Sequence, residues 1–137
     1  MLEVMNAVTF HVQADDDSLD EIQFVCYLAA QYTQKAFNVV INGTQAQLTA
    51  ISKMLWFFPA DSFLPHELGT STIKLITPFT DSRIIILNHD SNQSSQYDAW
   101  IEPVFCHADA KKSARLRYKA YQQNHFNIST VKEPRYG

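Results

Sequence analysis

Glycine is scarce in this sequence, which counts against the loops that hold phosphate groups. Three glycines occur among the 137 residues. A phosphate-binding loop needs glycine because its backbone must approach the ligand closely, and no P-loop or dinucleotide-binding fingerprint is present. The first expected strand–helix junction instead carries the aspartates at positions 15 to 17, whose charges repel phosphate. A nucleotide-dependent enzyme is therefore disfavoured.

Cysteine and long apolar runs are also lacking. Cys26 and Cys106 are too few for a disulfide scaffold and are expected to be buried, reduced thiols. No apolar stretch approaches the roughly 20 residues that cross a bilayer. The first ten residues lack the basic and apolar regions of a secretory signal. These absences predict a cytoplasmic protein without a membrane segment.

Residues that bind metals or act as nucleophiles are present, but their spacing is unfavourable. The three aspartates could bind a divalent cation, yet adjacent residues rarely aim three carboxylates at one point, so a solvated loop is favoured. The five histidines lack metal-site spacing. Cys106 and His107 would point to opposite faces of an expected strand. We predict no catalytic site, no metal and no cofactor.

The sequence contains alternating strand and helix patterns. Expected strands cover residues 7–12, 37–41, 73–76, 83–87 and 100–105. Expected helices run from a capping box at Ser18 and Glu21 to about Lys35, from a Thr44 cap to about Leu55, and from Ala108 to about Gln123. This order predicts one α/β domain over residues 1–137, with a mainly parallel sheet flanked by helices and some antiparallel pairs. The tail at residues 128–137 is interpreted as a segment that can be flexible.

Charge is divided unevenly along the chain. Residues 1–110 contain four basic and thirteen acidic residues, a net charge of −9, whereas residues 111–137 contain seven basic residues and one acidic residue, a net charge of +6. Such asymmetry indicates an anionic partner for the C-terminal part.

The last helix concentrates this positive charge on one face. Lys111, Arg115, Tyr118 and Lys119 have helical spacing and share a side. Cations beside an aromatic ring suit an acidic peptide that ends in an apolar residue, since arginine binds a terminal carboxylate with two hydrogen bonds. Two alternatives remain open: a solvated helix whose cations complement the helix dipole in its last turn, and direct binding of single-stranded nucleic acid through phosphates.

Two segments resemble the bacterial DNA polymerase III chi subunit family. Residues 114–121, ARLRYKAY, followed by Phe126 and Asn127, are similar to the end of that family. Residues 55–66, LWFFPADSFLPH, are similar to a second family signature. Thr9-Phe10 and residues 25–30 also fit, and the likeness covers most of the chain in the same order.

The resemblance implies a non-catalytic subunit of the DNA polymerase III holoenzyme. The family fold is a mononucleotide-binding-like, or Rossmann-like, domain without a nucleotide site. The family joins the psi subunit of the clamp loader and binds the acidic C-terminal tail of single-stranded DNA-binding protein, with a helicase at the psi surface in some bacteria. The resemblance implies no direct recognition of DNA sequence by this chain.

The resemblance also assigns residues to these two partners. The tail of single-stranded DNA-binding protein would be bound by Lys111, Arg115, Tyr118, Lys119 and Val104. The psi subunit would be bound by Trp56, Pro59, Phe63, Leu64, Pro65 and His66. The residues themselves support exposure in this second segment, because one helix end cannot bury Trp56, Phe57 and Phe58 together. The alternative is that Trp56 and Phe63 fill the core beneath the loop.

Overall fold

A mixed β-sheet with helices on both faces organises the structure, a computed structural model that describes residues 7–59, 64–70, 72–76, 83–87 and 98–136. Its strands are β1 Ala7–Val12, β2 Asn38–Asn42, β3 His66–Leu68, β4 Thr72–Leu75, β5 Arg83–Leu87, β6 Ala99–Val104 and β7 Asn127–Lys132. Its helices are α1 Glu21–Gln34, α2 Gln45–Leu55 and α3 Ala108–Gln123. The predicted α/β class is confirmed.

The strands lie in the order β3-β4-β2-β5-β6-β1-β7. Neighbouring strands from β2 through β5, β6 and β1 to β7 are parallel. The pairs β2–β4 and β3–β4 are antiparallel. The prediction of a mainly parallel sheet with some antiparallel pairs is therefore confirmed.

Each face of the sheet has its own apolar cluster. On one face, α1 and α2 pack on strand residues that include Ile41, Ile84 and Ile101, all at most 1% exposed. On the other face, Phe10, Trp100 and Val104 form a cluster with α3 residues. Alternate side chains of a strand point to opposite faces, so the near-continuous apolar composition of β5 supplies both clusters. The sheet is thus the middle of three layers.

The first helix begins later than the sequence predicts. Its N-cap is Asp20, which forms a capping box with Gln23, so the expected box at Ser18 and Glu21 is wrong. The Ser18–Glu21 and Asp20–Gln23 pairs have the same spacing, so spacing alone cannot identify the N-cap. A hydrogen bond from a residue before this segment favours Asp20. The Gln13 side chain donates to the Leu19 carbonyl at 2.9 Å, and Leu19 is buried. The chain therefore stays non-helical through Leu19.

Other element bounds agree well with the sequence, and two strands were not predicted. Thr44 caps α2 as expected, and the bounds of β1, β5 and α3 are confirmed. The unpredicted strands are β3, which has three residues, and β7, which has a mostly exposed polar sequence. Neither has the apolar pattern that marks a strand, because both lie at the edges of the sheet.

Residues 133–136 follow β7 back across the sheet edge towards α1. The Glu133 amide donates to the Val12 carbonyl at 2.9 Å. The Tyr136 amide donates to Asp17 at 3.0 Å, and the Tyr136 ring lies 5.6 Å from Tyr27 and 5.5 Å from Phe58, measured between centroids. This segment therefore contacts β1, the loop after it, α1 and the residues that follow α2.

None of the helices in the part of the chain that the structure describes has the length and apolar character needed to span a bilayer.

Candidate functional site

The α3 helix starts at a histidine cap. His107 accepts a hydrogen bond from the Ala110 amide through Nδ1, at 3.2 Å, and its Nε2 lies 2.8 Å from Glu21 of α1. The cap satisfies one of the amides that a helix leaves unpaired at its start. The last turn of α3 contains no basic residue. Its cations therefore do not serve the dipole complementarity that was one alternative for this helix.

The inner face of α3 is bound to the sheet by a buried carboxylate. Ala114 and Tyr121 are buried. Glu102 of β6 is 3% exposed and accepts from the Tyr121 hydroxyl at 2.7 Å and from Arg117 Nε at 2.9 Å. A buried carboxylate is tolerated only when it is paired and hydrogen-bonded. Arg117 thus stabilises the fold rather than presenting a free cation.

The outer face of α3 carries the exposed charge. Arg115 and Lys119 are exposed, and neither forms an ion pair with another described residue. Beside them, the Tyr118 ring is 37% exposed and lies 5.6 Å from the Phe10 ring of β1. We call Lys111, Arg115, Tyr118 and Lys119 the basic surface. It combines three cations with an aromatic ring that packs against the sheet.

Two of the residues that the family resemblance assigns to the tail of single-stranded DNA-binding protein, Lys111 and Val104, have more restricted positions. Lys111 Nζ is hydrogen-bonded to Asp15 of the β1–α1 loop, and this bond and the lysine charge lower the pKa of the Asp15 carboxyl. An incoming anion must therefore compete with Asp15 for Lys111. Val104 is 5% exposed and belongs to the cluster under α3, so it lies in the floor beneath the helix rather than on the surface.

The second predicted segment forms an aromatic surface at the end of α2. Trp56 is 48% exposed and Phe57 is 65% exposed, while Phe58 and Pro59 are half-buried. We call Trp56, Phe57 and Pro59 the aromatic surface. The expectation that at least one ring of the triplet is exposed is confirmed, and Trp56 does not fill the core. Phe57 was not among the residues assigned to this site from the sequence, although crowding at the helix end affects it as much as Trp56 and Phe58.

Three further residues of this segment lie behind or beside the aromatic surface. His66 is buried, with Nδ1 2.8 Å from the Leu64 carbonyl and Nε2 2.8 Å from the Ser52 hydroxyl. Its ring lies 4.5 Å from the Trp56 ring. Leu64 is buried in the core and Pro65 is half-buried. His66 therefore helps to position Trp56, whereas Leu64 belongs to the core. Phe63 lies outside the described residues.

The acidic run after β1 has three separate sets of contacts. Asp15 binds Lys111, Asp16 accepts from Arg135 at 3.1 Å, and Asp17 accepts from the Tyr136 amide. These carboxylates join the acidic N-terminal part to the basic C-terminal part. Within the residues that the structure describes, no group of three or more acidic, histidine or cysteine side chains could hold a metal ion.

Cys106 and His107 both follow β6, which ends at Val104. They do not lie on a strand, so the expectation that they point to opposite faces of one does not apply to them. Both ring nitrogens of His107 are engaged, one in the cap of α3 and one with Glu21. Burial raises the pKa of the Cys26 thiol to about 12, so that thiol stays protonated at neutral pH and is a poor nucleophile.

Fold and surfaces together define an α/β domain with one cationic face and one aromatic face. The family model described as DNA polymerase III chi subunit, HolC, matches residues 5–129. The chain therefore belongs to the DNA polymerase III chi subunit family. It is 29% identical over 144 aligned positions to the DNA polymerase III subunit chi of Escherichia coli strain K12, in an alignment that spans 93% of this chain and 98% of that protein.

Proposed function

We propose that this chain is a non-catalytic accessory subunit of DNA polymerase III that connects two other proteins. Its basic surface binds the acidic C-terminal tail of single-stranded DNA-binding protein. Its aromatic surface binds the psi subunit and through it the clamp loader. The family supplies the replicase context, and the two surfaces differ in chemistry as two different partners require.

The exposed pair of cations beside Tyr118 carries the proposal for the tail. Arg115 is exposed and offers a planar fork of donors that matches a terminal carboxylate. The Tyr118 ring leans on Phe10 and leaves 37% of its surface open, which gives an apolar side chain a wall to pack against. Lys119 and Lys111 add charge that attracts the acidic residues before the terminus.

The exposed rings at the end of α2 support the proposal for psi. Large aromatic side chains that lie together on a surface are typical centres of protein interfaces. Trp56 is held from behind by His66, whose two ring nitrogens are both engaged. A ring that is already positioned loses little conformational freedom when a partner binds. Trp56 is therefore suited to anchor an apolar partner.

Calorimetric titration with an acidic peptide ending in Pro-Phe tests the tail site. We expect micromolar binding, about −8 kcal/mol, that weakens as salt rises. The Arg115→Ala variant should lose about 1.5–3 kcal/mol because a charge-assisted hydrogen bond is removed. The exposed Lys74 of β4 provides the control, since Lys74→Ala removes one cation elsewhere. Equal affinity of the Arg115→Ala and wild-type proteins would reject the site.

Titration with single-stranded DNA alone distinguishes the tail site from direct nucleic-acid binding. A phosphate-binding helix would bind the DNA without any partner and with a steep salt dependence. We expect weak binding to DNA and tight binding to the peptide. Tight binding to DNA that is lost in Arg115→Ala would favour the nucleic-acid function instead.

A further inference from the structure

The edge strand β7 presents a lysine on the same side of the sheet as α3. In the parallel pairing of β1 and β7, Val8 is opposite Ile128, Phe10 is opposite Thr130 and Val12 is opposite Lys132. Paired residues of neighbouring strands point to the same face. Phe10 and Val12, together with Ile128, belong to the cluster under α3. The Lys132 side chain therefore leaves the sheet on the α3 side.

Lys132 of β7 and Lys111, where the basic surface begins, lie at similar distances from the turn that joins α3 to β7. A short turn joins Gln123, the last residue of α3, to Asn127, the first of β7. Lys111 lies twelve residues before Gln123, or about 18 Å along a helix. Lys132 lies five residues after Asn127, or about 17 Å along a strand. Because α3 and β7 run side by side in opposite directions and β7 is parallel to β1, both lysines lie near the carboxyl end of β1.

Contacts at the carboxyl end of β1 agree with this placement. Asp15, three residues beyond Val12, binds Lys111, while Val12 is the register partner of Lys132. Lys132 is exposed and forms no ion pair with another described residue. In contrast to Lys111, Lys132 can therefore bind an incoming carboxylate without displacing an internal one.

We propose that Lys132 is a further cation of the tail-binding site, which then extends from α3 onto the edge strand. This inference rests on the proposed binding of an acidic C-terminal peptide. Arg115 and Tyr118 would hold the last residue of the peptide, and Lys132 would bind an acidic side chain closer to its start. The position lies beyond residue 129, where the family match ends.

A double-mutant cycle tests the proposal. Wild-type and Lys132→Gln proteins are titrated with the acidic peptide ending in Pro-Phe and with a matched peptide whose acidic side chains are replaced by amides. We expect Lys132→Gln to weaken binding of the acidic peptide about two- to fivefold, the range of a single exposed charge pair. The variant should not change binding of the amide peptide, because the interaction requires both charges. Since Lys132 is exposed, the variant should fold normally.

The outcomes separate this inference from the function on which it rests. If Arg115→Ala weakens binding of the acidic peptide and Lys132→Gln matches the wild type, the tail site stands and the role of Lys132 is rejected. If the wild-type protein does not bind the peptide, the proposed function itself fails. Lys74→Gln serves as the control for loss of one exposed cation, and an equal loss in that variant would also reject a local role for Lys132.

Discussion

The basic and aromatic surfaces differ in the physical means by which each would bind a partner. The basic surface consists of cations on one helix, which attract an anion over roughly 10 Å at 0.1 M salt, the screening length of water at that ionic strength. The aromatic surface consists of rings that act only in contact. Binding at the first should therefore weaken with salt, whereas binding at the second should hardly respond. A single salt titration distinguishes the two surfaces.

The largest effect is expected at the aromatic surface. Trp56→Ala should weaken psi binding by about 2 kcal/mol or more, because large aromatic anchors carry much of an interface's energy. The protein should remain folded, since 48% of the Trp56 surface is already exposed. Titration with the psi subunit measures the affinity, and thermal unfolding checks the fold. Undiminished psi affinity would show that these rings are not the interface.

Two other variants define the extent of that surface. Phe57→Ala removes the more exposed ring. A loss of psi affinity as large as that of Trp56→Ala would place the centre of the interface closer to Phe57. Phe63→Ala should abolish co-purification with psi while leaving the circular dichroism spectrum unchanged. An unfolded Phe63→Ala protein would instead assign Phe63 to the core.

The second prediction compares two arginines of α3 that lie two residues apart. Arg117→Ala removes a donor from the buried Glu102 carboxylate and should lower the free energy of unfolding by about 1–3 kcal/mol. Arg115→Ala should change it by less than about 0.5 kcal/mol, as exposed positions usually do. Urea denaturation measures both. Equal losses of unfolding free energy in the two variants would contradict the assignment of Arg117 to fold stability and of Arg115 to binding.

The third prediction concerns the hydrogen bonds that hold the C-terminal segment to β1 and α1. His11 Nδ1 lies 2.8 Å from Glu133 and Nε2 lies 2.6 Å from the Tyr32 hydroxyl. A neutral ring fits both contacts, with Nδ1–H donating to the carboxylate and Nε2 accepting from the hydroxyl. Burial lowers the pKa of His11, although the hydrogen bond and charge of Glu133 oppose this, and the charge of Lys35 adds to the lowering.

The sign of the pH dependence follows from that lowered pKa. His11 binds a proton at higher pH in the unfolded chain than in the folded protein. The contribution of His11 to stability is therefore complete above the usual histidine pKa of about 6.5 and is lost as the pH falls below that value. Urea denaturation between pH 8 and 5 should show this loss, and His11→Gln should show less of it. Identical pH profiles for the two proteins would exclude His11 as the cause.

The smallest effect is expected from the contact between the acidic loop and the basic surface. Asp15→Asn removes the carboxylate that competes for Lys111 and should tighten binding of an acidic peptide by about threefold at most, because the pair is exposed. Asp16→Asn, which breaks the Arg135 contact, is the matched control. Calorimetry at low salt measures both, and weaker binding by Asp15→Asn would contradict the competition.

The two surfaces could be predicted from the sequence to different degrees. The face of α3 follows from helical spacing alone, since residues three, four and seven positions apart share a side. The sequence did not predict that Arg117 and Lys111 are engaged, because Glu102 and Asp15 lie on other elements. Exposure of the α2 aromatic triplet was foreseen from crowding, but which rings stay exposed depends on the packing of His66, Leu64 and Tyr136.

The α/β class, most element bounds, the charge division and the face of α3 could be read from the sequence, because these depend on local periodicity and composition. The start of α1, the formation of β3 and β7, and the choice of which cations stay available depend on the folded chain. Edge strands lack a buried pattern, and both the Gln13–Leu19 bond and the ion pairs join residues that sequence spacing does not relate. Long-range contacts, rather than local helix preference, therefore determine which cations of α3 are exposed to a partner.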